Sequence, residues 1–149
     1  MEAQSAIVQF LSGDGRDAAG RSFEEVLAMD DVGLEGRHDF IQWLFPLDEP
    51  SQAVPSSPVL TGSDILVLRN FATVQLRLRD ATERMLRFYR ATAQWKQPFD
   101  HNHLRITRII KSLRLLAGDG PADAFKAAIL SEAEDSQVSP TSRRYWSEA

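Results

Sequence analysis

Apolar residues recur at steps of three and four along nearly the whole chain, and no stretch alternates apolar with polar as a half-buried strand does. The clearest seam is Val74, Leu78, Ala81, Met85 and Phe88, spaced 4, 3, 4 and 3, which predicts a long amphipathic helix over 72–91. Along that helix Asp80/Arg84 and Glu83/Arg87 stand four apart with the acid first, the order that supports a helix. Ile106, Ile109, Ile110, Leu113, Leu116 and Ala117 fall on one arc of a second helix over 102–117, closed by Gly118. Leu104 and Leu115 lie on the opposite arc, between Arg108 and Lys111, so this helix reads as apolar on two faces and central in a bundle.

The remaining elements follow from their punctuation. Ile7, Val8, Phe10 and Leu11 predict a short helix over 1–11, and the Gly- and Asp-rich stretch 12–20 reads as a loop. Ser22 with Glu25 three residues on is a capping box, opening a helix that runs to about 29. Asp30-Asp31 breaks it, and a third helix is expected over 34–45, where Pro46 pushes the preceding residue out of helical space. Pro46, Pro50, Pro55 and Pro58 then mark an extended connection, long for a single domain, which is expected to lie ordered against the core and not as a linker. Thr61 opens a helix over 61–70, another covers 121–133, and Ser139-Pro140 supplies an N-cap and first-turn proline for a last one carrying Tyr145 and Trp146. The expected fold is all-α: a single compact multi-helix domain over 1–149, with about seven or eight helices and a proline-rich ordered connection.

Composition narrows the chemistry. A chain of 149 residues fits one domain, and the absence of cysteine removes disulfide scaffolds, cysteine-based zinc sites, iron–sulfur sites and thiol catalysis. The first ten residues carry an acid and no basic n-region, so no signal peptide is expected. The longest aliphatic run, Ile65-Leu66-Val67-Leu68, is far too short for a bilayer span, so no transmembrane segment and a cytoplasmic location are expected. The net charge of −4 is uneven: residues 1–60 hold three basic and eleven acidic side chains. Arg69 and Arg114 bound a window with eleven basic against three acidic. That window reads either as solvated helix faces paired with the acidic half or as an anion- or nucleic-acid-binding region.

Two constellations could carry function. The first is Arg37-His-Asp-Phe-Ile-Gln-Trp-Leu-Phe-Pro46, where apolar residues cover most of a helical wheel and His38, Asp39 and Gln42 share an edge. The second is the start of the 102–117 helix, where His103, Arg105 and Arg108 gather near a helix N-terminus, a place that favours anions. These six are the candidate ligand-binding residues. The bland alternative is that they are hydrogen-bonded members of packed helices. Arg105 or Arg108 is then expected to meet an acid such as Asp39, or a proline-segment group, and hold the two stretches together. His101 and His103 with His38 and Asp39 could in principle assemble a metal site, but ligands two apart do not share a helical face, so the signal is weak. No phosphate loop, nucleophile elbow or metalloprotease pattern is present, so no catalytic residue, metal or cofactor is expected.

His38-Asp-Phe-Ile-Gln-Trp-Leu-Phe-Pro46 and Asn102-His-Leu-Arg-Ile-Thr-Arg-Ile-Ile-Lys-Ser-Leu113 resemble the two signature blocks of the opioid growth factor receptor conserved-domain family. Met85-Leu-Arg-Phe-Tyr89 resembles its intervening block, and Gly20-Arg-Ser-Phe-Glu-Glu-Val-Leu27 with Asp30-Asp31 resembles the start of its short bacterial members. The resemblance implies a helical domain whose animal members bind an enkephalin-type opioid peptide, lie at the nuclear periphery and carry further C-terminal extensions and repeats. It brings no agreed catalytic or ligand-contact residues. The expected function is a noncatalytic ligand- or peptide-binding module, its groove between the Trp43 helix, the proline connection and the 102–117 helix. The partner would be a peptide or an anionic small molecule. Nucleic acid is the alternative partner, which the acidic pI of about 5.4 disfavours. An enzyme is the reading with least support.

Overall fold

The computed structural model describes residues 4–149, which form nine α-helices, one 3-10 turn and, among the described residues, no strand beyond two isolated bridges. The chain divides into two compact units, Met1–Ala81 and Thr82–Ala149, with the boundary inside the helix Ala72–Ala91. Among the described residues no helix is long and apolar enough to cross a membrane.

In the first unit α1, Ala6–Ser12, starts at Ser5, whose side chain accepts from the Val8 N–H, and stops at Gly13 with φ of 93°. The part of the expected first helix that falls on residues 1–3 lies outside the described residues. α2, Phe23–Leu27, has the capping box predicted at Ser22 and Glu25. Asp30, expected to break the preceding helix, also caps α3, Asp31–Gly36, by accepting from the Gly33 N–H.

The single helix expected over 34–45 is not formed. α3 ends at Gly36, Arg37 is extended with ψ of 136°, and a separate four-residue helix, α4, Ile41–Leu44, follows. Glycine ends the helix cheaply, and the apolar run 40–45 is better buried by a tight turn than by a straight continuation. Phe40, Ile41, Trp43, Leu44 and Phe45 are all buried.

The proline connection is ordered. Leu47 and Val59 form a parallel bridge, the Leu60 N–H donates to the Leu47 carbonyl at 2.8 Å, and Leu47 and Leu60 are both buried. Within it the Ser51 hydroxyl accepts from the Val54 N–H, and the Val54 carbonyl accepts from the Ser57 N–H and hydroxyl. α5, Gly62–Arg69, opens on a second capping box, Thr61 with Asp64, and Asp64 also accepts from the Ser5 hydroxyl at 2.7 Å. α6, Ala72–Ala91, has the predicted bounds, and its whole seam from Val74 to Phe88 is buried.

In the second unit α6 leads through the 3-10 turn Gln94–Lys96 to α7, His101–Leu116, capped by Asp100. α8, Asp119–Glu132, starts two residues before the predicted position. Gly118 makes the turn with φ of 106°, and Pro121 fits in the first turn, where its missing N–H has no helical partner to lose. α9, Pro140–Glu148, begins at the predicted Ser139 cap. α7 is the centre of this unit, meeting the 3-10 turn, α8 and α9. Its second apolar face is not buried, contrary to expectation. Ile106, Ile109, Ile110, Leu113 and Leu116 are at most 2% exposed, but Leu104 is 76% exposed. Periodicity locates an apolar arc without saying whether another element covers it.

Candidate functional site

Leu104 is one wall of a groove of about 470 Å³ between the start of α7 and α9. Phe99, just before α7, and Tyr145, on α9, stand beside it, and both are largely exposed. Three large apolar side chains thus line one groove while open to solvent. Thr107 and Thr141 add hydroxyl-bearing edges, and His103, Ser142 and Trp146 make the floor.

The floor is fixed by hydrogen bonds. His103 Nε2 lies 2.7 Å from the Trp95 carbonyl oxygen, which only accepts, so this nitrogen carries the proton. His103 Nδ1, 2.8 Å from Ser142 Oγ, therefore accepts from that hydroxyl in the neutral ring. Ser139 Oγ donates to Ser142 Oγ at 3.2 Å and accepts from the Ser142 N–H at 3.1 Å. The Trp146 indole N–H donates to the His103 carbonyl at 3.1 Å, and the two rings meet edge to face at 5.2 Å. Below them the Trp95 indole donates to the carbonyls of Tyr89 and Thr92. With both ring nitrogens committed, His103 offers no free lone pair to a metal. The Ser142 hydroxyl points its proton inward to His103. The chemistry of the floor is thus support, and that of the walls is apolar contact.

The other candidate residues have mostly internal partners. His103 is 6% exposed and is the one among the six that lines the groove. Arg105 is buried and donates to Asn102 Oδ1, which also accepts from the Tyr89 hydroxyl. Arg108 is half-buried one turn further on. In the first unit His38 is exposed, and its carbonyl accepts from the buried Gln42 side chain at 3.2 Å. Asp39 pairs with Arg21 at 2.8 Å. Arg21 also meets the buried Asp17 at 2.8 Å, and Asp17 accepts the N–H groups of Ala19 and Arg21. Burial pulls the Arg21 pKa down, but hydrogen bonds to Asp39 and Asp17 outweigh it and raise the pKa. Part of the basic window is paired inside each unit. Arg77 pairs with Glu24, Arg90 with Glu132, and Arg114 with Asp119 and Asp123. Hydrogen bonds to Asp123 and then Asp119 raise the Arg114 pKa, and the bond from Arg77 lowers that of Glu24.

Sequence reasoning did not identify Phe99, Leu104, Thr107 or Ser142 as site residues. Ser142 and His103 are 39 positions apart, a separation with no local pattern. The aromatics Phe99, beside Pro98, and Tyr145, in the last helix, are visible in the sequence, but their exposure is not.

A family profile described as the opioid growth factor receptor conserved region matches residues 21–133. The opioid growth factor receptor of Homo sapiens is 40% identical over 98 residues, covering 54% of this chain and 14% of the relative. Those of Rattus norvegicus and Mus musculus are each 42% identical over 98 residues, again 54% of this chain, and 17% and 15% of the relatives. The chain thus spans only about one-sixth of these relatives' length. No solved structure matches it. The α9 wall of the groove lies beyond the matched residues.

Proposed function

The chain belongs to the opioid growth factor receptor conserved-region family, and on that premise we propose that it is a noncatalytic peptide-binding module working through the α7–α9 groove. The observation that carries this reading is the set of exposed apolar walls, Phe99, Leu104 and Tyr145, over a floor whose polar groups are satisfied. Such a site takes up apolar side chains and offers no activated group for chemistry. The relatives' name as receptors supports a binding role. Of the six sequence candidates we assign His103 to the site, as its floor.

The test is panning of a random twelve-residue peptide library on the full chain, with affinities of the enriched peptides measured by fluorescence anisotropy. Leu104→Glu is expected to weaken binding by about tenfold or more, about 1.4 kcal/mol, while moving stability by no more than about 0.5 kcal/mol at so exposed a position. Peptides that bind both proteins alike put the site elsewhere. An oligonucleotide bound with steep salt dependence would instead favour the basic window.

We further propose that residues 1–149 fold as one domain. Denaturant transitions followed by far-ultraviolet circular dichroism and by tryptophan fluorescence are then expected to coincide. Two separated transitions would overturn it.

A further inference from the structure

The walls of the groove are apolar, but its lining holds one carboxylate and neither lysine nor arginine. The carboxylate is Asp100, whose side chain is only 9% exposed. Both N–H groups that it receives from Asn102 go to Oδ1, and among the described residues Oδ2 accepts none. Neutral donors do not cancel its charge, and with so little water around it the field of that charge is weakly damped. The residue before it, Phe99, is 72% exposed, and Tyr145 on the opposite wall is 55% exposed. Among the described residues neither ring stacks on another ring or lies under a cation. Free rings near a carboxylate attract an organic cation through the ring quadrupole and through the charge together. Outside the lining, Lys111 and Glu148 continue the α7 and α9 walls with opposite signs, and Arg144 is exposed beside Tyr145. Lys111 lies about 10 Å along α7 from Leu104, roughly a Debye length at ordinary salt. Mixed and exposed rim charges give no clear preference, so the desolvated charge in the lining decides. The three exposed walls offer roughly 400 Å², about half of what one partner brings to a stable protein–protein interface. That suits a short segment and not a second copy of this chain.

We infer that the segment taken by this groove is basic and apolar: a lysine or arginine head group lies against Asp100 and the rings of Phe99 and Tyr145, and a neighbouring apolar side chain covers Leu104. This rests on the peptide-binding reading and adds the partner's charge. Asp100 stands four residues before Leu104, one turn or about 6 Å along α7. The cation and the apolar anchor are therefore about four residues apart in a helical ligand, or about two in an extended one. Acidic segments are disfavoured by the same carboxylate.

The same library, panned on the full chain at about pH 8 to keep imidazoles neutral, tests the inference. Enriched peptides are expected to pair Lys or Arg with Leu, Ile or Phe at the spacings above. The best of them is synthesised again with norleucine in place of its basic residue, which keeps an aliphatic chain and removes the charge. The norleucine form is expected to bind about threefold to fivefold more weakly. Asp100→Asn retains a good N-cap residue for α7. It is expected to weaken the basic peptide by a similar factor and to leave the norleucine form unchanged. Tyr145→Leu, away from that cap, is expected to weaken the basic form more than the norleucine form. Leu104→Gln removes the apolar wall without adding a charge that would itself attract the cation. If it weakens both forms while norleucine and Asp100→Asn change nothing, the charge inference fails and the groove reading stands. A basic-residue effect that survives Asp100→Asn in full, or enrichment of acidic peptides, overturns the charge inference too. If Leu104→Gln binds both forms as the parent does, or no binder is enriched, the groove reading fails with it.

Discussion

Truncating Trp146 to alanine is expected to lower the stability of the chain by about 3–5 kcal/mol, the range for deleting a large buried aromatic. The ring is fully buried, lies 6.3 Å from Trp95 and 5.2 Å from His103, and its N–H is satisfied by the His103 carbonyl. α9 has only nine residues and cannot hold a helix by propensity alone. Its other ties include the Ser142–His103 bond, Arg143 to the Ala133 carbonyl, Arg114 to the Ala149 carbonyl and Lys126 to the Ser147 carbonyl. Removing the indole takes away the largest apolar contact and leaves polar ties that contribute about 1 kcal/mol each. Urea unfolding followed by circular dichroism measures the loss, and the melting temperature is expected to fall by on the order of 10 °C. Trp146→Phe keeps most of the ring volume and loses the N–H, so it is expected to recover most of the stability. A Trp146→Ala protein within about 1 kcal/mol of the parent would show that α9 is not docked through this ring.

How far this arrangement is legible in the sequence depends on the range of the cause. Caps are local: the Ser22/Glu25 box forms as read and Thr61 opens α5 as read, while the return bond from Asp64 that completes a second box is a finding of the structure. The α6 seam is a long periodic signal, and its helix has the predicted bounds. The break at Gly36–Arg37 was hidden because 40–45 has a helical composition, and burial decides between a long helix and a short turn. Asp17 sat in a stretch read as loop, yet its carboxylate receives three N–H groups and anchors Arg21. Nothing in the spacing announced that Arg21, and through it Asp39, would be organised by a residue four positions upstream.

The groove shows the same division. The basic character of 102–117 and its apolar arcs were readable, whereas the exposure of Leu104 was not, because it depends on which element covers α7. His103 was singled out for the right place and a different role. A histidine near a helix start suggests a ligand to anions, but its partners, Trp95 and Ser142, lie 8 and 39 residues away and turn it into a strut. The family resemblance and the site therefore carry different information. Resemblance reaches His103 and α7, and the opposing wall with Ser142 and Tyr145 comes from a helix outside the matched stretch.

Trp43 offers the complementary prediction in the first unit. It is 7% exposed and meets Phe10 edge to face at 5.5 Å, and Phe10 in turn meets Phe23 at 6.0 Å. These rings join α4 and α2 to α1. α4 has one turn, no side-chain cap and no charged residue in its first turn, so its conformation is held by what it buries. Trp43→Ala is expected to cost about 3–5 kcal/mol in urea unfolding, with peptide binding at the α7–α9 groove unchanged per folded molecule. Trp43→Phe is expected to lose less, because a smaller ring still presents a face to Phe10. The contrast decides what the first signature block is for. Lost stability with intact binding makes His38–Pro46 a structural block, whose recurrence in relatives reflects the fold. Retained stability with lost binding would move Trp43 from the interior to a ligand site and take the assignment away from α7 and α9.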